Sequence, residues 1–173
     1  MSSALGNSPW SVCAQGIARQ TPLSIGAATI VTSFTLLLLW IPLHQRPGLG
    51  TIANAVVIGL AIDATLALLP DHAPLAVRYL EVVAGIGLVG TGSAFYLRAA
   101  LGPGPRDGLM TGIHRVTGRP VALVRACIEV TALAIGVALG GRFGVGTVAF
   151  ALAVGPTVAF ALRAAGVARP SEL

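Results

Sequence analysis

The sequence predicts an all-α fold: a polytopic transmembrane helical bundle of about five spans, built from two inverted internal repeats. Three observations carry that expectation. Apolar residues fill 55% of the 173 positions and charged residues only 10%, whereas a soluble domain needs roughly 25% charged residues to cover its surface. The apolar residues gather in runs close to the ~20 residues a helix needs to cross a bilayer. The chain also aligns with itself without a gap when Leu5 is laid on Leu101. The mean hydropathy of +0.86 excludes a disordered chain. All eleven basic residues are Arg and sit dispersed at the borders of the apolar runs, which excludes a nucleic-acid interface.

Taken in order, Pro9 to Gln20 is too short and polar to span, and reads as an interfacial or re-entrant helix. Thr21 to Leu43 carries no charge and forms the first span, ending among Trp40, Pro42 and His44. Thr51 to Leu69 is the second span, closed by Pro70-Asp71, and Leu75 to Leu97 the third, with Tyr79 and Tyr96 as interfacial aromatics. Pro105 to Gly118 is a second short helix. Val121 to Leu139 and Gly146 to Leu162 are the fourth and fifth spans, with Pro156 inside the last, where neighbouring helices can satisfy the freed carbonyl. Met1 to Trp10 has neither the basic start nor the apolar run of a cleavable signal peptide.

The self-alignment matches Gly6 with Gly102, Pro9 with Pro105, Gly16-Ile17 with Gly112-Ile113, Arg19 with Arg115 and Thr21 with Thr117. Arg46-Pro47-Gly48-Leu49-Gly50-Thr51 then meets Arg142-Phe143-Gly144-Val145-Gly146-Thr147, and Gly59 meets Gly155. Gly, Pro, Arg and Thr fix turns and helix starts, so these matches carry more than apolar coincidence. The whole chain, 1–173, is read as a single transmembrane domain. Repeat one is 5–66, a linking span 75–97, and repeat two 101–162. Three spans separate the starts of the copies, an odd number, so the second copy enters from the opposite face, the architecture of many secondary transporters.

Arginine placement sets the orientation. Arg46, Arg98, Arg106, Arg115, Arg119, Arg163 and Arg169 lie on one face against Arg19, Arg78 and Arg142 on the other, which makes the first face and the C-terminus cytoplasmic. The second copy follows a complete span, whereas only Met1 to Ala4 precede Leu5. The repeat therefore predicts one further helix ahead of the first copy, from an earlier start or a neighbouring subunit.

The run Leu101-Gly102-Pro103-Gly104-Pro105-Arg106-Asp107-Gly108-Leu109-Met110-Thr111-Gly112, together with Trp40-Ile41-Pro42-Leu43-His44-Gln45-Arg46-Pro47-Gly48-Leu49-Gly50-Thr51, resembles the YczE/YitT group of bacterial multi-pass membrane proteins over nearly the whole chain. The resemblance implies a bacterial cytoplasmic-membrane protein of five or six spans, whose relatives usually begin with an additional helix. Relatives tend to read Pro-Trp-Asp where this chain has Pro9-Trp10-Ser11.

Ionisable groups inside a membrane cost roughly 2.5–3.5 kcal/mol each on insertion scales, so each needs a reason. Asp63 and Asn54 on the second span, and Arg125 and Glu129 four apart on the fourth, are candidates for a solute or ion path. Arg125 and Glu129 could equally form an ion pair that locks packing, and Asp63 could snorkel near an end. Thr29, Thr32, Thr35 and Thr131 add hydroxyls. The repeated Arg46, Gly48, Gly50, Thr51 and Arg142, Gly144, Gly146, Thr147 sets read either as anion cradles or as tight turns at the headgroups. Gly102, Gly104, Arg106 and Asp107 break the chain after the third span, with Asp107 expected to cap the next helix. Gly136 to Gly140 is a GxxxG suited to close contact, within the bundle or between subunits. His44, His72 and His114 lack the spacing of a metal site or triad, and Cys13 and Cys127 stand alone. No metal, cofactor or enzymatic activity is expected. The partners expected are the lipid bilayer, a small solute or ion, and further copies of the chain; the leading reading is a transporter, the alternative a membrane-embedded regulatory or assembly factor.

Overall fold

A computed structural model describes residues 8–68 and 101–148, with separate positions between 77 and 92 and between 150 and 160. Every described element is helical, and no strand occurs among the described residues. Five helices are described throughout their length. Most of the expected third span, and most of the fifth, lie outside the described residues.

Helix α1, Pro9–Gln20, begins where the Ser8 hydroxyl accepts the Ser11 N–H at 3.2 Å and Pro9 occupies the first helical position, the place where a missing N–H costs nothing. It stops at the extended Thr21, because the residue before a proline, here Pro22, is steered away from helical backbone. Helix α2, Ile25–Trp40, starts from a Ser24 cap on the Ala27 N–H at 3.0 Å, and bends from α1 by 111°. The expected span over Thr21 to Leu43 is thereby trimmed to 16 helical residues. Helix α3 is Leu49–Leu68, α4 is Pro105–Thr117 and α5 is Val121–Ala138. Both short helices fall where the sequence places them.

Among the described helices, α3 alone is long and apolar enough to cross a membrane, with mean hydropathy 1.9 over a stretch only 17% buried. The α1–α2 pair passes the same test only when its two limbs are taken together. Large apolar side chains point outward along these helices, among them Leu38, Val57, Leu60 and Val130. A water-soluble bundle would hide such side chains; a bilayer welcomes them.

The short helices are held by crossed packing. α1 lies on α5, α4 lies on α2, and α2 pairs with α3. The contacts of α1 on α5 and of α4 on α2 involve positions matched in the self-alignment. A Cβ on Gly16 would sit 2.8 Å from that of Leu139, and one on Gly112 would sit 3.1 Å from the Leu43 side chain. The Arg19 guanidinium donates to the Gly140 carbonyl at 2.5 Å, and Arg115 donates to the Leu43 and His44 carbonyls at 2.7 and 3.3 Å. These carbonyls lie at helix C-termini, where a cation is favoured.

The ends of α2 and α5 also match. Gln45 donates to the Trp40 carbonyl at 3.1 Å and Gly141 to that of Gly136 at 2.7 Å. His44 donates to Ile41 at 3.1 Å and Gly140 to Val137 at 2.9 Å. The left-handed residue in each turn is His44 (φ 52°) or Gly140 (φ 87°). This is the Schellman pattern, satisfying orphan carbonyls at each helix end.

One contact inverts residue size between the halves. Gly108 of α4 receives the Trp40 ring, whereas at the matched place Val12 and Cys13 of α1 lie on Gly136 of α5. The Trp40 indole N–H, 1% exposed, donates to the Pro105 carbonyl at 3.0 Å. Trp40 joins Trp10, Leu36, Leu109 and Ala132 in the core. Gly136 of the GxxxG thus serves contact within the bundle.

Trp40→Ala should cost about 3–5 kcal/mol, the range for truncating a buried Trp, and Gly108→Val should drive α4 off the ring. Unfolding midpoints in detergent check both; an unchanged midpoint for Trp40→Ala would contradict the docking described.

Candidate functional site

The first turns of α1 and α4 meet. Trp10 and Arg106 each follow the N1 proline of their helix and are matched in the self-alignment, and the Arg106 guanidinium lies 4.7 Å from the centroid of the Trp10 ring. That is cation–π distance. The Trp10 indole N–H donates to Glu129 Oε1 at 3.2 Å, and Arg125 Nη1 lies 3.8 Å from Asp107 Oδ1. Two guanidiniums, two carboxylates and an indole therefore gather where the positive ends of two short helices converge. Arg125 and Glu129 belong to the interior of α5, and both are half-buried.

Several expected roles change here. The Arg125–Glu129 pair one turn apart is replaced by cross-helix partners: Asp107 for Arg125 and Trp10 for Glu129. Packing against α1 and α4 outweighs a pair worth only about 0.2–0.5 kcal/mol on an isolated helix. Asp107 sits in the first turn of α4, and Gly104 takes the cap position expected for it. The hydroxyls of Thr29, Thr32, Thr35 and Thr131 bond the carbonyls of Ile25, Ala28, Val31 and Cys127 in their own helices, so they donate nothing across the bundle.

Asp63 is away from this cluster. Its carboxylate accepts the Ser24 hydroxyl at 2.6 Å and the Gly26 N–H at 2.7 Å, so α3 caps the start of α2, where the dipole favours an anion. Gly26 and Gly59 allow the helices to approach closely enough for this. Asn54, half-buried on α3, makes no side-chain hydrogen bond among the described residues. The four path candidates thus fall into a pair at the meeting of α1 and α4, with Asn54 and Asp63 on α3.

The two glycine-threonine motifs build the same turn. Thr51 Oγ1 accepts the Gly48 N–H and Thr147 Oγ1 the Gly144 N–H, each at 3.2 Å. Both threonines are buried, 0% and 1% exposed. Each hydroxyl reaches back one turn to the helix start, half of a capping box. In the first motif the donors an anion would use are occupied: Gly50 N–H by the Leu101 carbonyl at 2.9 Å, Thr51 N–H by Gly48 at 3.1 Å. Thr51 Oγ1 also donates to Pro103 at 2.7 Å, tying the motif to the Gly102–Gly104 break. Gly102, at φ 109°, packs where a Cβ would lie 2.7 Å from Thr51 Oγ1. Arg46 and Arg142 are exposed, and the Arg142 N–H donates to buried Gln15 Oε1 at 2.7 Å. Gly146 is buried beside Thr147.

Trp10 and Gln15 escaped the sequence reading. For Trp10 a signal existed: it and Arg106 are matched, each one residue after a helix-starting proline. Gln15 carries no motif, and only the fold shows its partner. Among the described residues no cluster of His, Cys, Asp or Glu could hold a metal ion.

Described residues that are all helical, with outward apolar faces and charges gathered between short helices, are the build of a membrane protein, and one relative is named as such. Residues 1–163 match DUF6198, described as a family of unknown function, and the chain belongs to that family. It is 42% identical over 161 residues to an uncharacterized protein of Haemophilus influenzae, spanning 93% of this chain and 74% of the relative. It is 34% identical over 161 residues to YczE of Bacillus subtilis, named an uncharacterized membrane protein, spanning 92% and 74%. YyaS of Bacillus subtilis, an uncharacterized protein, is 28% identical over 149 residues, spanning 84% and 74%. The YczE-type resemblance read from the loop motifs holds. No solved structure matches.

Asp63→Ala should lower stability by about 0.5–2 kcal/mol, the range for losing a helix cap. Thermal unfolding in detergent reads this, and a midpoint equal to that of the parent would show that the cap carries no stability.

Proposed function

We propose that the protein is a small-solute or ion transporter of the bacterial cytoplasmic membrane, made of two inverted copies with a cytoplasmic C-terminus. The observation that carries this is the meeting of the α1 and α4 first turns at Trp10 and Arg106, beside Asp107–Arg125 and Glu129. Helix breaks at repeat-related positions, with half-helix N-termini facing a polar centre, are how many carriers build a midplane site. The exchanged contacts of Arg19, Arg115 and the Schellman turns support a two-fold relation between the copies.

In this reading Glu129 is the exchangeable carboxylate. Trp10 is its only hydrogen-bond partner among the described residues, and a single indole donor leaves it free to take a proton or cation. Arg106 and Arg125 orient an anionic portion of the solute, and Asp107 balances Arg125. Asp63 serves the scaffold. The carrier performs no covalent chemistry.

A second reading is a membrane-embedded regulatory or assembly factor that moves nothing. It is favoured by the back-bonded threonines and by the polar partners present for every buried side-chain nitrogen and oxygen among the described residues.

Two experiments test the proposal. Purified protein in liposomes loaded with a pH-sensitive dye should couple addition of a solute from a panel of small organic ions to a proton flux. Glu129→Gln should lower that flux at least tenfold while leaving the unfolding midpoint near the parent's. A panel without any response supports the regulatory reading. Sidedness is tested separately on Gln20→Cys and Val116→Cys, exposed matched positions at the ends of α1 and α4, in a Cys127→Ser background. A membrane-impermeant maleimide should reach them from opposite sides of the membrane; labelling from one side would rule out inverted copies.

A further inference from the structure

Between α4 and α5 runs a lateral groove of about 280 Å³, separate from the charged cluster and unused by the transport reading. Its walls are Ile113 of α4 and Leu123, Val124, Cys127 and Ile128 of α5, with Arg119 at one end. The lining is almost wholly apolar. Leu123 and Cys127 are exposed and one turn apart, so the groove opens sideways, toward the acyl chains in a bilayer.

Arg119 lies in the connection between the two helices, and its main chain is held in place. Its N–H donates to Thr117 Oγ1 at 3.3 Å, and its carbonyl lies 2.6 Å from His114 Nδ1. The guanidinium itself is exposed and makes no hydrogen bond or ion pair among the described residues. Its neighbour Arg115 is committed to the Leu43 and His44 carbonyls, and the described carboxylates, Asp63, Asp107 and Glu129, do not line it. Among the described residues the mouth is therefore a cation without a counter-charge. From Leu123 to Ile128, the lining positions on this helix, the rise is roughly 7–8 Å, about half of the ~15 Å depth of one leaflet in a ~30 Å hydrocarbon core.

We infer that this groove is a binding site for one anionic phospholipid, with an acyl chain along Leu123, Cys127 and Ile128 and the phosphate on Arg119. An apolar slot about half a leaflet deep recognises a segment of an acyl chain. A free guanidinium at its end recognises the phosphate, because Arg presents a donor fork matched to phosphate oxygens. A soluble phosphate would leave the slot empty, so the occupant is the lipid.

Native mass spectrometry of the detergent-purified full chain tests this with dioleoyl phosphatidylglycerol and dioleoyl phosphatidylcholine, which share their tails. One phosphatidylglycerol should be retained in preference to phosphatidylcholine. Arg119→Gln should weaken retention of phosphatidylglycerol about fivefold, the worth of one basic residue at an anionic headgroup, with phosphatidylcholine unchanged. Cys127→Trp should fill the slot and weaken both lipids. Both substitutions are at exposed positions, and circular dichroism controls for folding. Phosphatidylglycerol held equally by Arg119→Gln and the parent overturns the phosphate assignment. Undiminished retention by Cys127→Trp overturns the chain assignment, and competition by inorganic phosphate at the same concentration would show that the lipid is not the occupant.

Discussion

Two helices of 12 and 13 residues, each rising only about 18–20 Å, are held by lying across longer ones, α1 on α5 and α4 on α2. Ser8 and Gly104 cap the starts of the two helices, and Arg19 and Arg115 near their ends reach the Gly140 and Leu43 carbonyls just past the helices they lie on. Glycines at 16, 112, 108 and 136 make the seating possible by letting main chain or ring approach where a methyl group would collide. The charged cluster follows from this arrangement, since it brings Trp10, Arg106 and Asp107 to α5 beside Arg125 and Glu129.

The limits of both short helices could be read from the chain, because local rules set them: a proline at the first position, a small cap before it, and a proline or glycine after the last turn. The repeated turn was equally visible, and in it the threonines bond back to Gly48 and Gly144. Partnerships across the bundle were not visible. Spacing alone makes Arg125 and Glu129 a pair; only the seating of α4 and α1 shows that Asp107 and Trp10 lie closer to hand. Asp63 looked like a charge stranded in a span because nothing local points to Ser24, 39 positions earlier, as its partner.

The same distinction separates the two classes of polar group in this protein. Hydroxyls on α2 and α5 are spent within a single turn, and so leave the helices free to face lipid. The ionisable groups are spent between elements, and so bind particular helices to one another. Asp63 joins α3 to α2, Arg125 joins α5 to α4, and Glu129 joins α5 to α1. Loss of a hydroxyl is a local matter; loss of a charge is felt by two helices.

The reciprocal bulk at Trp40–Gly108 and Val12–Gly136 makes the two aligned segments complementary and not interchangeable. Joining two first halves head to tail would set a tryptophan against Val12, where no room exists. Joining two second halves would leave glycine facing glycine across a void. Neither segment can serve as its own mate, so bulk in one aligned segment is answered by space in the other within one chain.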